Sequence, residues 1–214
     1  MTSSAVSKQP RRTQEQRSSE TRTRLLDATI ECLVEYGYAG TTTPRVAERA
    51  GVTRGAQVHH FGSKNDLVVA AVSHLAQRRT EAAMKELNRV RAGDDPLGTA
   101  LEFMWELHQG PLFIAALELW VASRTDRTLA AEVAKVEPFV NNAVLLAVAQ
   151  LVPNELYRKQ VRDFAYTAMD TLRGILMTGF ISPDPERAHR RWLRASAQLR
   201  LAAESGMPDF RIAD

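Results

Sequence analysis

A single cysteine, Cys32, occurs in 214 residues, so neither an intrachain disulfide framework nor a multi-cysteine metal site is open to this chain. Its place in the first helical period, whose inner stripe is Leu26, Ile30, Leu33 and Val34, predicts a small buried hydrophobe rather than a redox centre. Long apolar runs are missing too. The longest, Ala143 to Val152, falls well short of the roughly 20 residues that span a bilayer. No signal-peptide-type apolar core stands near the start, and a cytoplasmic location is expected. Catalytic signatures are likewise absent: there is no glycine-rich phosphate loop, no His-Glu-x-x-His zinc pattern and no Gly-x-Ser-x-Gly elbow. The five histidines are scattered apart from His59 and His60, and adjacent helical residues diverge by about 100°, a poor geometry for chelation. Glu102 and Glu106 form an acidic pair at helical spacing, the pattern of a solvated face. The expectation is a protein with no enzymatic activity, no metal and no cofactor.

What is present is helical period and an uneven distribution of charge. At 44% hydrophobic and 25% charged, the chain has material for one large or two modest cores. The formal net charge is +3, but residues 1–65 hold ten Lys or Arg against six Asp or Glu, and the remainder eighteen against nineteen. The positive excess therefore lies wholly in the N-terminal third, the distribution expected where a nucleic acid binds. Residues 1–17, rich in Ser, Thr, Gln, Lys and Arg, have too few apolar side chains to pack and read as a disordered basic tail. Within it Lys8, Arg11, Arg12 and Arg17 either track phosphates or are simply solvated.

The segment TPRVAERAGVTRGAQVHHFGSKNDL, Thr43 to Leu67, carries the most information. Thr43 is a capping residue, Pro44 suits a first helical turn, and Val46, Ala47 and Ala50 make an apolar stripe. Gly51 supplies a left-handed helix end, Val52 plugs the turn, and Thr53 caps a new helix that runs to about Phe61. Gly62 ends it, and Ser63 with Asp66 opens a third. Helices joined by turns this short form a rigid helix-turn-helix, able to lay its second member in a major groove. Thr53 and Arg54 stand at the leading end of that member, where base edges are reached, and Gly55 lets backbones approach closely. Arg54 suits a bidentate bond to guanine, while His59, His60, Lys64 and, from the preceding helix, Arg45 suit phosphates. Val58 suits a thymine methyl. Gln57 either reads an adenine or, partly buried, bonds to backbone.

At these residues the chain resembles the TetR family of bacterial one-component transcription regulators. Thr42, Thr43, Ala47, Ala50, Gly51, Val52, Thr53, Gly55, His59, His60, Phe61, Lys64 and Leu67 all match its signature over about the first seventy residues. Gln57 and Val58 depart from it: the family places there a leucine, normally buried, and a tyrosine, normally on a phosphate. The resemblance implies a DNA-binding unit over residues 18–67, with Thr42 and Thr43 among its DNA contacts, and a helical effector-binding and dimerisation unit over 68–214. It also implies repression of a palindromic operator, a small-molecule effector and a homodimer; the alternatives are an activator or a ligand-independent architectural DNA-binding protein.

Beyond the motif, no stretch reads as a strand, and the fold class is all-α. The helix opened at Ser63 is expected to reach about Val90, longer than groove reading needs, which makes it the natural transmission element. Further helices are expected at roughly 97–109, 111–124, 128–152, 154–180 and 185–204, with Pro138 breaking the third of these at Glu137. Met104, Trp105, His108, Phe113, Leu117 and Trp120 lie at core spacing, and with Phe139, Phe164 and Met169 they are the candidate walls of the effector site. Their apolar character favours a bulky hydrophobic or aromatic ligand, oriented by His108, Glu118 or Arg124. The last two helices carry apolar residues on more than one face, among them Val161, Ala165, Ala168, Leu172, Ile175, Leu176, Trp192, Ala195, Leu199 and Ala202. With small residues at Ala168, Gly174 and Gly179, they are expected to form a two-fold four-helix seam, unless Trp192 and Leu199 close the protomer's own core.

Overall fold

The structure, a computed structural model, describes residues 13–91, 95–136, 138, 155–182, 184 and 186–206. Every regular element among them is an α-helix. The N-terminal part comprises α1 (Gln14–Gly40), α2 (Thr43–Arg49), α3 (Arg54–His60) and α4 (Lys64–Arg91). It is followed by α5 (Pro96–Leu107), α6 (Pro111–Ser123), α7 (described over 127–136), α8 (Glu155–Gly179) and α9 (Arg187–Gly206). The basic side chains Lys8, Arg11 and Arg12, the break at Glu137 and the candidate wall residue Phe139 lie outside the described residues.

Local chemistry sets the helix ends. Thr13 and Gln16 form a reciprocal capping box, the Thr13 hydroxyl accepting from Gln16 N–H at 3.2 Å and the Gln16 side chain from Thr13 N–H at 2.9 Å. Helix α1 therefore begins at Gln14, and Arg17, expected in a disordered tail, is helical. Thr42, not Thr43, caps α2: its hydroxyl lies 3.4 Å from Arg45 N, with Thr43 and Pro44 inside the first turn. Thr53 caps α3 as expected, accepting from Ala56 N–H at 3.2 Å, and Ser63 accepts from Asp66 N–H at 3.0 Å at the head of α4. Gly51 takes the left-handed conformation, φ 62°. Gly37, at φ 67° and ψ 178°, interrupts the helical path near the end of α1.

Among the described residues, two apolar clusters join the helices. In the first, Leu25, Leu33 and Cys32 of α1, Val46 of α2, Leu67 and Val68 of α4, Ala115 and Leu119 of α6 and Leu129 of α7 are buried together. Each large aliphatic side chain there contributes about 1.5–3 kcal/mol by leaving water. Cys32 is fully buried, and burial pushes its thiol pKa up, so it packs as a protonated hydrophobe. Val34, assigned above to the inner stripe, instead turns outward, because one residue further round α1 points away from α4 and α6. The second cluster joins α5, α8 and α9 through Leu101, Met104, Ala168, Met169, Leu172, Ile175 and Trp192.

This second cluster changes the expected seam between copies. Trp192 is fully buried and Leu199 packs against the same cluster, so both belong to the protomer's own core, as do Ala168 and Ile175. A Cβ on Gly179 would meet Ala188 of α9 at 3.5 Å, so that glycine serves packing within the protomer. The outward stripe is a different set. Tyr166, Met177, Phe180 and Ile181 are exposed at and beyond α8, and Leu193, Ala197 and Leu201 recur every fourth residue on α9. A Cβ on Gly174 meets nothing within 4 Å.

Candidate nucleic-acid interface and interior site

Helix α3 is held by its buried side. Gln57, only 2% exposed, donates from Nε2 to Phe61 O at 3.0 Å and so ties off the carbonyl at the end of α3. Its amide is thereby unavailable to a base edge, and Gln57 is removed from the candidate DNA contacts in favour of the backbone-bonded alternative. Phe61 is buried beneath it, with the Arg22 guanidinium of α1 4.6 Å above the ring. Arg22 thus brings a cation to the end of α3. No local pattern marks this contact, because it crosses from one helix to another.

The opposite side of α3 is open. Thr53, Arg54, Gly55, Val58 and His59 are exposed, Val58 at 55%. No side chain among the described residues pairs with the Arg54 guanidinium. The space around Gly55 is empty apart from the Thr53 hydroxyl at 3.9 Å, so nothing inside the protein requires glycine there. His59 and His60 meet edge to face at 5.3 Å. His60 is half-buried, and burial, His59 and Arg22 together lower its pKa, which favours the neutral ring in the free protein.

Thr42 and Thr43 stand at the head of α2, beside Arg45, which is exposed but committed: its guanidinium donates to Gly40 O and lies 4.3 Å over the Tyr36 ring. Lys64 requires a correction. Its ammonium is directed inward, donating to Tyr38 O at 2.6 Å and sitting 3.9 Å over the Tyr38 ring, and burial lowers its pKa. The Tyr38 carbonyl in the last turn of α1, which also accepts from Thr41 N–H at 3.3 Å, captures the ammonium expected on a phosphate. Lys64→Met is accordingly expected to lower the unfolding midpoint while leaving the slope of log affinity against log salt unchanged. A slope shallower by about one unit would restore Lys64 to the phosphates.

Tyr38 is the meeting point of three elements. Its N–H donates to Glu118 Oε2 of α6 at 2.8 Å, its carbonyl receives Lys64, and its hydroxyl donates to Asn65 Oδ1 at 2.7 Å. Glu118, suggested above as a ligand-orienting group, is therefore spent on the end of α1. No sequence signal marks this pairing, since its partner is a backbone amide eighty positions away.

The interior candidates fall into separate groups. Met104 and Met169 are buried in the second cluster, with Trp105 and Phe164 packed against it. Trp105 stacks on His189 of α9 at 4.7 Å, and His189 in turn lies 3.4 Å from Glu102. His108 directs Nδ1 to Met104 O at 2.9 Å, within its own helix, and its ring lies 6.1 Å from Phe113, which stacks on Phe180. Trp120 packs against the first cluster, with Arg173 of α8 5.0 Å from its ring. Leu117 is half-buried on α6, and Arg124 is exposed. These side chains are thus spread along the contacts of α5, α6, α8 and α9 rather than around a single point. Among the described residues no group of His, Cys, Asp and Glu is arranged to hold a metal, and no helix is long and apolar enough to cross a membrane.

Residues 25–71, from the buried part of α1 through the first turns of α4, match the sequence profile of bacterial regulatory proteins of the tetR family. The transcriptional regulator CymR of Pseudomonas putida is 32% identical over 183 residues, spanning 84% of this chain and 89% of that protein. Among solved structures, a TetR-family member from Streptomyces coelicolor A3 superimposes with a TM-score of 0.56 at 26% identity, covering 84% of this chain and 98% of that one. The multidrug binding protein EbrR in complex with ethidium gives a TM-score of 0.60 at 20% identity, over 84% of this chain and 98% of its own, and shares the fold. A helix-turn-helix with an exposed face on its second helix, joined through one continuous core to a larger helical body and matched over most of its length by a known regulator, identifies this chain as a DNA-binding member of the TetR family of bacterial transcriptional regulators.

Proposed function

We propose that this regulator binds a palindromic operator as a homodimer, represses transcription there, and is released by a small hydrophobic or aromatic effector. The observation that carries the DNA half is the exposed, unpaired face of α3, with Arg54 at its leading end and Val58 beyond it. In this reading Thr53, Arg54, Gly55 and Val58 meet base edges, while Thr42, Thr43, Arg45, His59, His60 and Arg22 face the backbone. Uncharged Val58 and charged Arg54 suit a thymine methyl and a guanine respectively. One short helix reads too few bases for useful specificity. Two, on a two-fold axis, read half-sites about 34–36 Å apart.

The second copy is placed on the outward stripe of α8 and α9, where Met177, Ile181, Leu193 and Leu201 remain in water in the protomer. The division of labour at residues 67 and 68 is one of function rather than packing, because the first cluster runs from α1 across α4 to α6 and α7. Effector binding among α5, α6, α8 and α9, the interior reading that EbrR's ethidium complex supports, then acts on α3 by two routes: along α4, and from α6 through Glu118 to Tyr38. Only a ligand with different affinities for the two arrangements shifts them, and typical couplings are about 1–3 kcal/mol.

Selection of bound sequences from a random duplex pool tests this directly, followed by footprinting and by repetition with a panel of aromatic and aliphatic compounds. A protected palindrome whose occupancy falls with a subset of the panel is the expected result. Recovery of sequences with no shared motif would sink the operator reading, and a footprint indifferent to every hydrophobic compound would sink the effector reading.

A further inference from the structure

Trp192 of α9 is 0% exposed, yet its indole N–H donates to nothing. Its neighbours in the second cluster, Leu101 and Met104 of α5 and Met169 and Leu172 of α8, present an apolar surround. Other buried nitrogens without a hydrogen bond have charged company: His189 Nε2 lies 3.4 Å from Glu102, and His74 Nε2 lies 3.8 Å from Asp27. For Trp192 Nε1 no hydrogen-bond acceptor is present among the described residues. A buried donor without an acceptor is destabilising, typically by about 1–3 kcal/mol. An acceptor brought in by a bound guest would satisfy it. Methionines at 104 and 169 flank it, and flexible thioether side chains are well suited to yield to a guest.

We propose that the effector is an apolar molecule carrying a carbonyl-type oxygen, and that the Trp192 indole N–H, by donating to that oxygen, distinguishes it from hydrocarbons of the same shape. The inference rests on the effector site lying among α5, α8 and α9, with Met104, Phe164 and Met169 against the apolar body of the ligand. It adds a polar requirement to a site that is otherwise unselective, since an apolar wall by itself ranks ligands only by size.

The test uses the full chain labelled with ¹⁵N at its tryptophan indoles and a pair of probes matched in shape: acetophenone, which has the oxygen, and 2-phenylpropene, which has a methylene in its place. Acetophenone is expected to bind about three- to tenfold more tightly and to shift the Trp192 indole resonance, and in Trp192→Phe the two probes are expected to bind with equal affinity, whatever that affinity is. Comparable affinities in the natural protein with an unmoved indole resonance would overturn the acceptor requirement while leaving the site in place. If neither probe perturbed any residue of α5, α8 or α9, the site itself would be misplaced and the inference would go with it. The comparison of the two probes in the natural protein decides the matter even if the variant fails to fold.

Discussion

Arg54→Ala is expected to lower affinity for the selected operator by about 30-fold to 10⁴-fold, because a lost bidentate guanine contact costs about 1–3 kcal/mol and a dimer loses it twice. Affinity for a random duplex should fall only a few-fold, since one phosphate-range charge per protomer is removed and no base contact is forfeited there. Fluorescence anisotropy with both duplexes, repeated over a range of salt, separates the two effects. Arg54→Lys sharpens the test: it keeps the charge but not the planar fork, so it should restore the random-duplex affinity and not the operator preference. Equal losses on both duplexes for the alanine variant would show that Arg54 acts as a simple cation. Stability should be unaffected, because Arg54 is exposed and no described side chain pairs with it.

Gly37→Ala should give the largest change in stability for the smallest change in size. At φ 67° and ψ 178° the backbone lies in a region that only glycine enters readily, and forcing another residue there costs about 1–3 kcal/mol. A Cβ would also stand 2.8 Å from Glu118 Oε2, so the carboxylate must retreat from Tyr38 N–H. Leaving this part-buried amide unsatisfied adds about 1–3 kcal/mol. Together these predict a loss of about 2–6 kcal/mol and a fall in Tm of roughly 5–20 °C for a domain of this size. Glu118→Ala separates the two contributions: it removes the Tyr38 partner without straining Gly37, so its cost should be about half. It should also weaken the response of operator affinity to effector, since α6 then no longer holds the end of α1. A Gly37→Ala protein as stable as its parent would mean that the break in α1 is incidental.

The local elements were legible because their causes are local. Thr53, Gly51, Ser63 and Pro111 each fix a helix end through their own or a neighbouring backbone, and a 3.6-residue apolar period needs no partner to be read. The few displaced ends have equally local causes: Thr42 and Thr43 compete for one cap, and the Thr13–Gln16 box extends α1 into residues whose composition suggested disorder. The signature around α3 was likewise sufficient to indicate DNA, because it records a turn geometry and an exposed helix face over a short span.

Composition and pattern by themselves determined an all-α chain, a recognition helix after Gly51 and the concentration of positive charge beside it. Only the tertiary structure decided which way each ambiguous side chain faces: Gln57 and Lys64 inward, Val58 outward, Trp192 into the protomer and Ile181, 85% exposed, away from it. The physical reason is that a helix period specifies an apolar stripe but not its partner, and a polar side chain at its edge goes wherever a distant backbone group is left unpaired. Tyr38, with its amide on Glu118 and its carbonyl on Lys64, is such a place, created by three helices that meet only once the chain has folded.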